Sequence, residues 1–171
     1  VAEAVKWFRK AADQGDADAQ YNLGVMYATG DGVPWDEAEA VKWFRKAAEQ
    51  GNAGAQNILG ACYARGEGVM KSEPDAVKWY RMAAEQGNAE AQFNFGSSYE
   101  YGTGLTKNEA EAVKWYRLAS DQGHAWGKFH LANMYRAGDV VPKNPAKAIE
   151  LMTEAANLGL VSAENELGEM H

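Results

Sequence analysis

A tetrapeptide returns along this chain at a constant interval, and that interval limits the fold more than any other feature. Ala4-Val5-Lys6-Trp7 recurs as Ala40-Val41-Lys42-Trp43, Ala76-Val77-Lys78-Trp79 and Ala112-Val113-Lys114-Trp115, always 36 residues on. Ala148-Ile149-Glu150-Leu151 is a weaker fifth copy in the same register, and no insertion breaks the spacing. Self-similarity at a period of roughly 20–50 residues marks a chain built from stacked supersecondary units.

Each unit reads as two helices. The first, the KW helix, carries Ala4, Trp7, Phe8, Ala11 and Ala12, an apolar stripe of helical period. It stops at Gly15, as its copies stop at Gly51, Gly87, Gly123 and Gly159, where a left-handed residue closes a helix. Asp16, Asn52 and Asn88 then supply N-caps, while His124 and Leu160 in the later copies are expected to cap less well. The second, the LG helix, carries Leu23-Gly24 with Tyr27, repeated as Leu59-Gly60 with Tyr63, Phe95-Gly96 with Tyr99 and Leu131-Ala132 with Tyr135. A mid-helix glycine costs about 1 kcal/mol against alanine, so close approach of a neighbouring helix is expected there. Asp36, Ser72, Asn108 and Asn144 share one register position as N-caps of the next KW helix, and Pro145 suits the first helical position. Helices shorter than about 12–15 residues are marginal alone in water, so stacking of pair on pair must hold them. The tryptophan series Trp7, Trp43, Trp79 and Trp115 is expected in the continuous core, where truncation of Trp79 to alanine would cost about 3–5 kcal/mol. The expected fold is all-α, a right-handed α/α superhelical solenoid of about five helix pairs.

These residues resemble the Sel-one-like (Sel1-like) repeat, a relative of the tetratricopeptide repeat. The resemblance rests on Ala19-Gln20, Leu23-Gly24, Tyr27, Gly30, Gly32-Val33, Ala40, Trp43-Phe44, Ala47-Ala48 and Gly51, and it covers essentially the whole chain. Lys128, Ala132 and Val140 depart from the pattern in the fourth copy, and Leu151 and His171 in the fifth. The resemblance implies a single array over residues 1–171 that scaffolds protein complexes, in bacteria and often outside the cytoplasm. Val1 corresponds in register to Glu37, so the expectation is a segment of a longer array, able to self-associate through open ends.

By the same resemblance the LG helices line a concave groove. Its residues would be Asp18, Tyr21, Val25, Ala28 and Thr29, then Gly54, Asn57, Ala61, Ala64 and Arg65. They continue as Glu90, Phe93, Ser97, Glu100 and Tyr101, then Trp126, Phe129, Asn133, Arg136 and Ala137, with Ser162, Asn165 and Glu169 in the last unit. The repeat supports this independently. Lys6, Lys42, Lys78, Lys114 and Arg9, Arg45, Arg81, Arg117 are constant on the KW helix, whereas the LG stripe changes at nearly every copy. A surface matched to an irregular partner should vary along its length; neutral drift at exposed sites is the competing account. Aromatics and arginine dominate binding hot spots, which selects Phe93, Tyr101, Trp126, Phe129, Arg65 and Arg136 as anchors. Glu90 and Glu100 would add charge selectivity. Phe93 and Phe129 could equally plug gaps between LG helices.

The expected activity is non-catalytic binding of another protein or peptide. A structural spacer or regulatory arm is the alternative, and β-lactam or glycan binding is remote. Formal net charge is −7, which argues against a nucleic-acid partner. No run approaches the ~18 apolar residues of a membrane span. Cys62, alone, forms no intramolecular disulfide. Glu39 and Lys42, or Arg45 and Glu49, pair at helical spacing, so the KW lysines and arginines read as a solvated face rather than a polyanion site. Gly30, Gly66 and Gly102 open Gly-x-Gly turns that follow helices and are not dinucleotide fingerprints. His124, His130 and His171 lack ligand spacing, and Asp13, Asp16 and Asp18 lack a calcium-loop glycine, so no metal or other cofactor is expected. Cys62 reads as a packed thiol rather than a nucleophile. The Ser-x-x-Lys and Lys-Thr-Gly signatures of β-lactam enzymes are absent.

Overall fold

Glycine and an N-capping side chain punctuate the chain twice in each repeat, and the helices fall between them in this computed structural model. The described residues are 2–169. The side chains of Ala2, Glu3, Ala4 and Glu169 are outside them, so Ala4 in the first stripe and Glu169 and His171 in the last unit lie outside what is described. In order come α1 (Ala2–Asp13), α2 (Ala17–Thr29), α3 (Glu37–Glu49), α4 (Ala53–Arg65) and α5 (Glu73–Glu85). They continue as α6 (Ala89–Tyr101), α7 (Glu109–Asp121), α8 (Ala125–Ala137), α9 (Pro145–Asn157) and α10 (Val161–Glu169). Odd-numbered helices are KW helices and even-numbered ones LG helices; among the described residues there is no strand. The all-α, paired-helix expectation is met. The chain divides into two compact units, residues 1–88 and 89–171. Within each, every helix packs on the next in sequence.

The helix ends follow the predicted chemistry. Gly51 is left-handed at φ 93° and donates to the Ala48 carbonyl, while Asn52 donates to that of Ala47. Asp16 accepts from the Ala19 amide at 2.7 Å and Asn52 from that of Ala55 at 2.8 Å. Asp36, Asn108 and Asn144 cap α3, α7 and α9 in the same way. His124 caps α8 by a longer bond than Asp16 or Asn52 makes: its Nδ1 accepts from the Gly127 amide at 3.1 Å. An unprotonated ring nitrogen serves as an acceptor there as a carboxylate does.

Three ladders tie neighbouring helices together, the first two between consecutive repeats and the third within one. In the first, an aromatic side chain lies on the LG glycine: a Cβ added to Gly24 would sit 2.7 Å from the Phe44 ring, and one on Gly60 2.7 Å from that of Tyr80. Gly96 meets Tyr116 at 3.0 Å in the same way. This close approach compensates the propensity lost to glycine. Ala132, the odd copy, lies in the unit where the ring position is Met152 instead, and both are buried in one core cluster. In the second ladder, buried Gln20 accepts from Gln50 at 2.8 Å, Gln56 from Gln86 at 2.6 Å and Gln92 from Gln122 at 2.8 Å. Lys128 breaks this rung and pairs with Glu154. In the third, Arg45 donates to the Tyr63 hydroxyl at 2.6 Å and Arg117 to that of Tyr135 at 3.2 Å, as Arg9 does to Tyr27. Arg9, Arg45 and Arg117 therefore bind the LG tyrosine and are not only a solvated face, while Arg81 bonds Glu85 at 2.7 Å. The lysines do pair along the surface, as Lys42 with Glu39 and Lys147 with Glu150.

Trp43 is buried with Ala12, Ala19 and Leu23, and Trp79 with Ala48, Ala55 and Leu59. Each thus fills a slot made by the repeat before it. Trp115 is half-buried, tilted on Phe95 at 5.0 Å. Trp7 contradicts the core expectation at 64% exposure, because no described helix pair provides its slot. Lys10 lies over its ring instead.

Candidate functional site

Successive LG helices stand either side of a KW helix and leave a groove whose floor is the KW face. In residues 1–88 the walls are α2 and α4 and the floor is α3. Val25 and Ala28 face Ile58 and Cys62 across Val41 and Phe44, with Arg65 and Glu67 at the rim. Arg65 bonds Glu67 at 2.6 Å and is exposed. Cys62 is buried, and burial pushes its thiol up to about 11, so it packs as a thiol.

In residues 89–171 the equivalent groove lies between α6 and α8 over α7, and its character is different. Glu100, His130 and Asn133 line it with Met134, Ala137 and Val140. Tyr116, fully buried on α7, donates its hydroxyl to Glu100 Oε2. His130 Nδ1 lies 3.0 Å from that same oxygen. Burial works to raise the Glu100 pKa, but hydrogen bonds from His130 and Tyr116 outweigh it and hold the carboxyl below its ordinary value. Burial first, then the neighbouring carboxylate, pushes Tyr116 far up, so it remains a donor.

An aromatic cluster flanks this network. Phe93 stacks on Tyr116 at 5.7 Å and on His124 at 5.0 Å. His124 Nε2 reaches Glu90 at 2.9 Å, and this bond holds the Glu90 carboxyl below its ordinary range. Because Nδ1 of His124 accepts the cap bond, Nε2 carries the proton toward Glu90. Trp126, 42% exposed, meets Phe129 edge-on at 5.6 Å.

The predicted stripe is thus divided. Phe93, Glu90, Glu100, Trp126 and Phe129 come together around the two histidines, and Asn133 lines the adjacent groove. Phe93 and Phe129 are half-buried and pack on the core of residues 89–171. Ser97 is half-buried on α6. Tyr101 projects at 63% exposure. Arg136 is tied to Glu166 at 3.0 Å. In the other unit, Asp18 accepts from Asn52 at 2.9 Å, Tyr21 tilts on Phe44 at 6.1 Å and Asn57 is half-buried. Sequence reasoning left Tyr116, His124 and His130 out of the site. Comparison of the register positions 28, 44 and 58 with 100, 116 and 130 would have found two of them. Among the described residues, no group of three or more His, Cys, Asp or Glu side chains is placed to hold a metal ion.

Pairs of helices repeated every 36 residues, with the same side-chain ladders recurring within each compact unit, define a helical-repeat protein. The chain belongs to the Sel1 repeat family, whose profile matches residues 1–16, 17–52, 53–88, 89–124 and 127–160. It is similar to a solved protective antigen, c5321, of uropathogenic Escherichia coli that displays the SLR fold. Identity is 42% over 99% of this chain and 36% of the antigen, with a TM-score of 0.91. A Sel1 repeat protein from Oxalobacter formigenes is 37% identical over 97% of this chain and 66% of that one, with a TM-score of 0.90. An immunity protein from Pseudomonas aeruginosa, 24% identical over 93% of this chain and 58% of that one at a TM-score of 0.60, shares the fold. The chain therefore spans about a third of the E. coli antigen. No curated protein matches it.

Proposed function

We propose that this chain is a non-catalytic protein-interaction scaffold that holds an extended segment of a partner polypeptide against its LG helices. The observation that carries the reading is the open groove between α2 and α4. Val25, Ala28, Ile58 and Phe44 give it an apolar lining of about 250 Å³. An extended segment can place one apolar side chain there while the rim arginine and glutamate meet its backbone or flanking charges. Support comes also from what the repeat holds constant. The tryptophan, arginine, LG glycine and buried glutamine are each occupied in joining neighbours. The stripe that includes Ala28, Asn57 and Trp126 changes from copy to copy. The test is a panel of random extended peptides titrated against the chain, its Ile58→Glu variant and its Ala28→Arg variant. Saturable binding in the micromolar range, weakened about tenfold or more by either groove variant, is expected. No saturable binding by any peptide would leave the array a spacer and end the reading.

A further inference from the structure

We propose that the groove between α6 and α8 selects a basic side chain, arginine or lysine, and that Glu100 is the residue that reads it; this rests on the peptide-binding reading above and names what one part of the segment carries. The starting point is a concerted change at four register positions. Ala28, Phe44, Ile58 and Ala61 in the first unit correspond to Glu100, Tyr116, His130 and Asn133, each 72 residues further on. All four exchange apolar for polar, while the backbone elements that carry them stay the same.

Three of the four form one network. Tyr116 and His130 both bond Glu100 Oε2, so the carboxylate is held from the floor and from the opposite wall. A carboxylate offers about four lone-pair sites, and these two bonds fall on one oxygen, so even with the Tyr101 hydroxyl beside it acceptor capacity toward the groove is left. The fourth residue, Asn133, stands one helical turn from His130 and lines the same groove. Its Oδ1 is shut off from solvent and has no hydrogen-bond partner in the protein. An isolated buried acceptor is rare unless a donor is supplied from elsewhere. Here the carboxylates of Glu100, Glu109 and Asp139 and the Asn133 carbonyl line one groove with no lysine or arginine among the lining residues. The nearby Lys107 is engaged by Glu109 at 2.6 Å.

Acceptors at one end and Met134, Ala137 and Val140 along the wall are the complement of a long side chain with an apolar stem and a donor-rich cationic head. At about 220 Å³ the groove falls below the ~300–1,000 Å³ of sites for drug-sized molecules, which fits one side chain. Tyr116 and His130 are positioning residues in this account. They fix the carboxylate but leave its charge for the ligand.

The test titrates the full chain with L-argininamide, L-lysinamide and the neutral isostere L-citrullinamide, read by amide chemical shifts. Saturable shifts at residues 100, 133 and 140 are expected for the two cations, with citrullinamide about tenfold weaker or more. Glu100→Gln should weaken argininamide about tenfold, while Glu85→Gln, an exposed carboxylate on α5 outside the groove, changes it less than about twofold. A triple variant, Glu100→Ala with Tyr116→Phe and His130→Ile, installs the residues that already pack in the first unit, and it should abolish the shifts with the helical fold kept. Equal response to citrullinamide, or argininamide binding retained in both Glu100 variants, would overturn the proposal. Argininamide binding without any peptide binding would leave this site standing and remove the scaffold reading; peptide binding with no cation preference would do the reverse.

Discussion

The grooves floored by α3 and by α7 are the same piece of architecture with opposite chemistry. Over α3, Ala28, Phe44 and Ile58 leave an apolar cleft. Over α7, Glu100, Tyr116 and His130 form a hydrogen-bonded network. Arg136, Met152 and Glu166 occupy the matching positions over α9, where the outer two form an ion pair. The difference teaches that the ladders fix the backbone while the groove residues vary on top of it, and that an ionised groove residue comes with partners: Glu100 with Tyr116 and His130, Arg136 with Glu166.

Four experiments would break or sharpen that comparison. The largest effect is expected from truncating the floor. Phe44→Ala and Tyr116→Ala each remove a fully buried ring, and each should lower stability by about 3–5 kcal/mol in denaturant melts. Trp7→Ala, exposed, should change it by less than about 0.5 kcal/mol. A loss under about 1 kcal/mol for either floor residue would show that the two floors are not equivalent core. Next comes the ring-on-glycine contact. Gly24→Ala should cost about 1–3 kcal/mol, since the new methyl meets the Phe44 ring at 2.7 Å. Met152→Phe should likewise destabilise, and Ala132→Gly should rescue it; additivity in that double-mutant cycle would refute the pairing.

Exchanging single polar atoms is expected to have a smaller effect. Tyr116→Phe removes a donor to Glu100 and should cost about 1–2 kcal/mol. Phe44→Tyr places a hydroxyl among Ala28 and Ile58 and should cost a similar amount. If Phe44→Tyr proves neutral, the network over α7 is not a cooperative set. The smallest effect is in acid. The folded-state pKa values of Glu100 and Glu90 are lowered, so their contribution is complete above the ordinary value of 4.5 and is lost as pH falls through the lowered values. The stability difference between the chain and its Glu100→Ala, Tyr116→Phe, His130→Ile variant should therefore shrink below about pH 4.5 in parallel melts. A difference that grows in acid would reverse the assignment of Glu100 as a carboxylate.

Much of this was legible in the residues. The 36-residue return of Ala-Val-Lys-Trp gave the helix pairs, and Asp16, Asn52, Asp36 and Asn144 gave the starts, because a cap acts within three residues of itself. Trp7 misled because its copies report a slot built by other helices, which no local signal encodes. Arg9, Arg45 and Arg117 looked solvent-directed until Tyr27, Tyr63 and Tyr135, each 18 residues on, proved to be their partners.

What the sequence alone determined was everything of short range or strict period: where each helix begins and ends, which face is apolar, and that pair must stack on pair. What only the tertiary structure decided was which departures from the repeat belong together. Ala132 answers to Met152, Lys128 to Glu154, and Glu100 to both Tyr116 and His130. Those partners are 16 to 30 residues apart, and they meet only because stacking lays successive helices side by side.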